Sequence, residues 1–267
     1  MRRSWCAVGF VFAVACSSST DPDRGSVEAQ EAVQEELAFV PHDYRLLNLR
    51  SLPFFGAPIA FLPMGLCAPD STGVSDQNSA GVPRDLTLTW PAGRCVTPVQ
   101  GFNDQFVGSI RIEDPGGGLL ARLTYTGLRH TFNTSTSETD HTFDGTVELR
   151  ATSGTSVTVE QHSTEHEVRD ALNDVETKRK RDISVVITDT TGRLPTTGLL
   201  DATSITVSGA VGLVFAAPLT DSVRAEVSTP TPLAIDRLCV SGFRSGQLRA
   251  VASGTVNVTF LLNYTCQ

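Results

Sequence analysis

The feature that most constrains this chain is a two-residue alternation that recurs in long runs over its C-terminal two thirds. Leu119, Ala121, Leu123 and Tyr125 alternate with Arg122, Thr124 and Thr126. Phe143, Val147 and Leu149 oppose Asp144, Thr146, Glu148 and Arg150, and Val256, Val258, Phe260 and Leu262 oppose Asn257, Thr259 and Asn263. Successive side chains of an extended strand point to opposite faces, so this pattern predicts half-buried antiparallel strands rather than helices. Turn clusters separate the runs at Asp114-Pro115-Gly116-Gly117, Thr152-Ser153-Gly154, Leu172-Asn173-Asp174, Thr191-Gly192-Arg193 and Ala252-Ser253-Gly254. The prediction is an all-β antiparallel meander of about ten or eleven strands that closes over as a sandwich, a barrel or a half-barrel. No linker divides it, so residues 41–267 are expected to form one β-rich domain.

The N-terminus carries a different signal. Met1-Arg2-Arg3-Ser4 is basic, and Trp5 to Val14 is apolar but too short to cross the ~30 Å core of a bilayer as a helix. The run ends Ala13-Val14-Ala15-Cys16, followed by the polar stretch Ser17 to Asp23. This resembles the lipobox of bacterial lipoproteins, in which the leader is removed and the cysteine carries the acyl chains. The resemblance implies a signal peptide over residues 1–15, lipidation of Cys16 and a flexible tether over residues 16–25. Two or three chains anchor a protein stably where one does not. Ser17 after the cysteine is similar to lipoproteins of the outer membrane in two-membrane bacteria, which sets the expected location in the cell envelope.

The formal net charge is -8, and removal of the leader takes away Arg2 and Arg3 and no acid. A nucleic-acid partner is therefore excluded, because phosphate neutralisation needs a concentrated basic surface. A body of this net charge is not drawn to anionic lipid by its overall electrostatics, so membrane association rests on the acyl chains at Cys16. A protein, glycan or lipid remains as partner, and no cofactor is implied. Between residues 26 and 40, Ala29, Val33, Leu37 and Val40 recur at helical spacing among Glu28, Glu31, Glu35 and Glu36, which predicts one amphipathic helix against the body. The Phe-rich segment that follows, around Phe54 and Phe55, is irregular and apolar.

With Cys6 in the leader and Cys16 acylated, Cys67, Cys95, Cys239 and Cys266 remain of the six cysteines. Four cysteines allow three pairings. The matched spacings suggest local disulfides, Cys67 with Cys95 and Cys239 with Cys266; a zinc site lacks any Cys-x-x-Cys pair.

The run Ser228 to Asp236, then Cys239, then Gly242 to Ala250 and a Val/Thr strand ending at Cys266, together with Gly108-Ser-Ile-x-Ile-x-Asp-Pro115, resembles the end of a group of bacterial β-rich lipoproteins. The resemblance implies an envelope location and a β-rich fold, and implies no chemistry. Many members of that group carry an Asp-rich loop similar to calcium sites. Here the matching stretch offers Asp76, Asn78, Asp85 and Asp70, with Ala80 and Arg84 where further ligands would be needed. Calcium takes six to eight oxygens, so an ordinary turn is the favoured reading.

His162-Ser163-Thr164-Glu165-His166 spells His-x-x-Glu-His, a zinc-peptidase signature when it lies on a helix. Val157 and Val159 before it alternate with Thr158 and Glu160, and a strand continued through it would part the two histidines by ~13 Å at ~3.3 Å per residue. Glu165 would face the other way, so no metal is expected there. Lys178-Arg179-Lys180-Arg181 reads as the exposed arm of a hairpin opposite the Glu-rich arm from Glu160 to Glu167, or as a docking patch for an acidic partner or glycan. His42, His130 and His141 read as surface or turn positions. No Gly-x-Ser-x-Gly, Walker-type or dinucleotide loop is present. The sequence thus points to a non-enzymatic, membrane-anchored scaffold or binding protein. The alternative is a carrier of acyl chains or another apolar ligand within a curved sheet.

Overall fold

In the computed structural model, residues 68–77, 82–94, 96–99, 102–117, 119–134, 138–170, 175–188, 203–216 and 222–266 are described, together with helical residues between 30 and 44. The strands run in chain order as β1 (Asp70–Gln77), β2 (Pro83–Trp90), β3 (Val96–Val99), β4 (Phe102–Glu113), β5 (Leu119–Thr134) and β6 (Glu138–Ser153). They continue as β7 (Ser156–Asp170), β8 (Val175–Thr188), β9 (Ser204–Ala216), β10 (Ser222–Ile235), β11 (Phe243–Gly254) and β12 (Val258–Thr265). All belong to one antiparallel sheet in the order β1-β2-β4-β5-β6-β7-β8-β9-β10-β11-β12, with β3 pairing β4 alone. Strand β2 pairs the C-terminal half of β4, Asp85 opposite Glu113, while β3 pairs its N-terminal half, Val96 opposite Gln105. The two short strands thus share one neighbour end to end.

The expected meander is present as a single open sheet. Among the described residues there is one sheet rather than the two of a sandwich, and its order runs from β1 to β12 without closing into a barrel. Hydrophobic alternation fixes the register of each pairing, because a slip of one residue would turn the apolar set of a strand to the wrong face. Local shifts interrupt the β1–β2, β4–β5, β5–β6, β6–β7, β9–β10 and β10–β11 ladders, while β7–β8, β8–β9 and β11–β12 pair without one. Ala121, Leu123 and Tyr125 of β5, Val147 and Leu149 of β6, and Val185 and Ile187 of β8 are all buried on the same face. Edge-to-face ring pairs bridge neighbouring strands there, with Tyr125 and Phe143 at 5.1 Å and Phe243 and Tyr264 at 5.0 Å between centroids.

Every described residue between 30 and 44 is helical. Val33, Leu37, Val40 and Tyr44 from this segment join the inward side chains of the sheet in one apolar cluster. The helix therefore covers part of the buried face, over β7 and β8, where Tyr44 meets Gln161 and Glu36 meets Arg181. Cys239, in the β10–β11 connection, is bonded to Cys266, just beyond β12. Cys16, Cys67 and Cys95 lie outside the described residues, as do residues 1–25 and the Phe-rich segment around Phe54 and Phe55.

Candidate functional site

The inward face of the sheet changes character along β7 and β8. Val157 and Val159 point into the core, and the next inward positions are Gln161, Ser163, Glu165 and Glu167, all buried. Across the ladder, inward Ile187, Val185 and Ile183 give way to Arg181, Arg179 and Thr177 in the same manner. Antiparallel register sets Glu165 opposite Arg179 and Ser163 opposite Arg181, and on the other side of β7 it sets Glu167 opposite His141 of β6. Directly opposed residues on one face are in reach of one another, so the charges meet in pairs.

The guanidinium of Arg179 lies 3.1 Å from a carboxylate oxygen of Glu165 and 3.1 Å from one of Glu167. His141 sits 3.2 Å from Glu167 through Nε2 and 3.5 Å from Glu165 through Nδ1. The helix contributes the third acid: Glu36 accepts a hydrogen bond of 2.7 Å from Nε of Arg181 and lies 3.8 Å from Nε of Arg179. Tyr44 donates to Gln161 Oε1, and Gln161 Nε2 donates to Ser163 Oγ at 2.7 Å. Burial alone would pull the His141 imidazolium below its usual range, but hydrogen bonds and attraction from Glu165 and Glu167 outweigh it and raise the pKa to about 9. Burial likewise opposes the charge on Arg179, and Glu165, Glu36 and Glu167 reverse that effect. Three carboxylates face two guanidinium groups and one imidazolium, so the cluster is neutral within itself.

His141, Glu165 and Glu167 place one ligand atom each within 4.8 Å of one another, close enough to share a metal ion. The surroundings argue against that use. Arg179 already bridges both carboxylates, and a metal would have to remove the imidazole proton, leaving an excess of positive charge in a buried place.

The His-x-x-Glu-His stretch is strand throughout. His162 and His166 stand on the outer face, bound to Asp182 at 3.2 Å and Glu176 at 2.7 Å, while Glu165 is on the inner face. One corrected expectation concerns the basic run, which is not a uniformly exposed arm. Lys178 and Lys180 point outward, but Arg179 and Arg181 point inward and pair with Glu36, Glu165 and Glu167. Another concerns His141, which is no surface residue: its side chain is only 13% exposed. Of the calcium candidates, Asp76 is exposed on β1, Asp70 pairs with Arg94, and Asp85 is held by Arg111 at 3.0 Å. That hydrogen bond lowers the carboxyl pKa of Asp85. Asn78 lies outside the described residues.

The buried cluster was the site that sequence reasoning missed. Its signal was available: odd positions from Val157 to Glu167 all belong to the core face, so the acids among them had to be inside. Comparison of the chain with family models, with curated proteins and with solved structures gave no match.

Proposed function

We propose that this chain is a non-enzymatic envelope lipoprotein, anchored through acyl chains on Cys16, probing its surroundings as a binding scaffold through the outer face of its sheet. The observation that carries a binding role over a catalytic one is the inner cluster. Its carboxylates are each engaged by a cation, its histidine is held protonated, and its parts lock the helix onto the sheet. Groups committed in this way serve cohesion. The outer face carries Lys178, Lys180, His162, His166 and Arg224, which also pair with acids on their own or the neighbouring strand but whose side chains remain 40–61% exposed.

The test of the anchor is intact mass and membrane fractionation of wild type and Cys16→Ala. An acylated wild type in the membrane fraction, with a variant that lacks acyl chains, supports the reading; normal acylation of the variant overturns it. A carrier of apolar ligands is the second reading, and one observation weighs against it: Val33, Leu37, Val40 and Tyr44 of the helix already occupy part of the apolar face of the sheet where an acyl chain would lie. Native mass spectrometry of the mature protein distinguishes the two, since co-purified lipid would favour the carrier.

A further inference from the structure

On the outer face of β7 to β11 lies an open hollow of about 610 Å³. Register places Thr164, Lys180, Gly212, Arg224 and Ser253 in one row across five strands. Gly212 is at the centre of that row, and Lys180 and Arg224 stand on either side of it. Lys178, two positions nearer the start of β8 and opposite Val214, adds a third cation to the lining.

Gly212 has no backbone reason to be glycine. At Gly209, three residues earlier, φ is 121° and a Cβ would come within 2.3 Å of the Asp182 carbonyl oxygen, so any side chain is barred. At Gly212 φ is not in the left-handed region, and an added Cβ would meet Lys180 Cβ at an ordinary 3.7 Å. Among the described strand glycines, Gly212 alone combines extended backbone with free room for a side chain. A glycine inside a strand weakens it and often marks a close approach by a ligand or another backbone. Here its effect is to leave the floor of the hollow open between two cations.

The walls are part apolar, with Ala210 and the 46% exposed Val214 on either side of Gly212 along β9, and the charged side chains above them define the ligand. Lys178, Lys180 and Arg224 have side chains 57%, 61% and 60% exposed, so their charged ends reach solvent above the glycine. Their acidic partners, Glu176, Asp182 and Glu226, lie two positions along the same strands, and of these Asp182 alone lines the hollow. Arginine and lysine together suit a phosphate, which the guanidinium can bind in bidentate fashion. The hollow falls in the size range of small-molecule sites, much larger than a bare anion. At the two ends of the row stand the hydroxyl of Thr164 and that of Ser253, which donates to the Arg224 carbonyl at 3.3 Å and can still accept from a ligand hydroxyl. We propose that this hollow binds a phosphate-bearing polyol, the phosphate between Lys180 and Arg224 over Gly212. Such a group occurs on a phosphorylated glycan or on a lipid head. The proposal rests on the binding-scaffold reading and names the class of partner.

The test is calorimetric titration of the mature protein in neutral detergent at low ionic strength, with glucose 6-phosphate, glycerol 3-phosphate, inorganic phosphate and glucose as probes. Saturable binding of one or both phosphate esters, tighter than phosphate alone, with no binding of glucose, is the expected result. A preference for glucose 6-phosphate indicates a glycan source, and a preference for glycerol 3-phosphate indicates a lipid head. Lys180→Gln and Arg224→Gln should each weaken binding about tenfold, the loss of one charge-assisted hydrogen bond. Gly212→Val is the decisive variant, because a β-branched residue suits the strand and fills the floor. It should keep or raise the thermal midpoint while weakening binding at least as much as the charge variants, and Gly212→Ala should follow it to a smaller degree. Unchanged affinity in Gly212→Val, equal binding of glucose, or no binding of either ester would overturn the site. The readout is taken in detergent whatever the anchor, so its failure leaves the Cys16 result standing, and an unacylated wild type would leave this result standing.

Discussion

Glu36 and Arg181 meet from segments 145 residues apart, and both are buried. A buried pair of this kind is asymmetric in energy: forming it brings little net gain over an apolar pair, whereas removing one partner strands the other. Arg181→Met is therefore expected to cost about 3 kcal/mol in urea denaturation, and Glu36→Leu combined with Arg181→Met should recover most of that loss. If the double variant is no better than the single one, the pair is not the link between helix and sheet. His141 gives a second expectation with a definite sign. Its folded pKa of about 9 stands above the ordinary value of 6.5, so its contribution is fully present below pH 6.5 and is lost as pH rises through 9. The difference corresponds to about 3 kcal/mol as an order of magnitude. Stability measured at pH 6, 8 and 10 should fall over this window in wild type, and His141→Gln should flatten that part of the profile.

Strands β5, β6 and β12 were legible because apolar residues alternate through Leu119 to Tyr125, Phe143 to Leu149 and Val258 to Leu262 and because Gly, Pro or Asp marks the turns between runs. The helical segment was legible from Val33, Leu37 and Val40, although its described residues continue to Tyr44. Strands β7 and β8 were legible as the two arms of a charged hairpin; the burial of half their charges was not. Contiguous charge in Lys178-Arg179-Lys180-Arg181 drew attention to a run, when the physical unit in a strand is every second residue. The inward half of that run follows Ile183, Val185 and Ile187 on the core face, and its acidic counterpart follows Val157 and Val159. What sequence could not supply is the third element, since nothing local ties Glu36 to β8. The same parity explains how one element serves two surfaces, with Arg179 and Arg181 fixing the helix inside and Lys178 and Lys180 lining the hollow outside. Leu37, fully buried where helix and sheet meet, tests the packing half of that contact. Leu37→Ala should lower stability by about 2–5 kcal/mol, and loss near zero would show that the helix is not part of the core.

Among the described residues the open sheet ends at β1 on one side and β12 on the other, and an edge strand left unpaired is a template for another strand. The β12 edge is the more exposed to this hazard in its chemistry. Its sequence, Val258 to Thr265, contains no charged residue and no proline, and Leu261 on its outer side is 39% exposed. Phe260, Leu262 and Tyr264 hold its inner side in the core. The Cys239–Cys266 bond ties the far end of this strand to the β10–β11 connection, closing a loop of 27 positions. In the chain-entropy model a loop of this size contributes roughly 3 to 4 kcal/mol by restricting the unfolded chain. Its position adds a second effect, because an edge strand that frays exposes both its apolar side and its free backbone groups. Cys239→Ser with Cys266→Ser should therefore lower stability by about 3 kcal/mol and also produce concentration-dependent association in sedimentation velocity. Loss of stability without association would mean that β12 stays paired to β11 when unstapled, and the protection of this edge would then have to come from its core side chains.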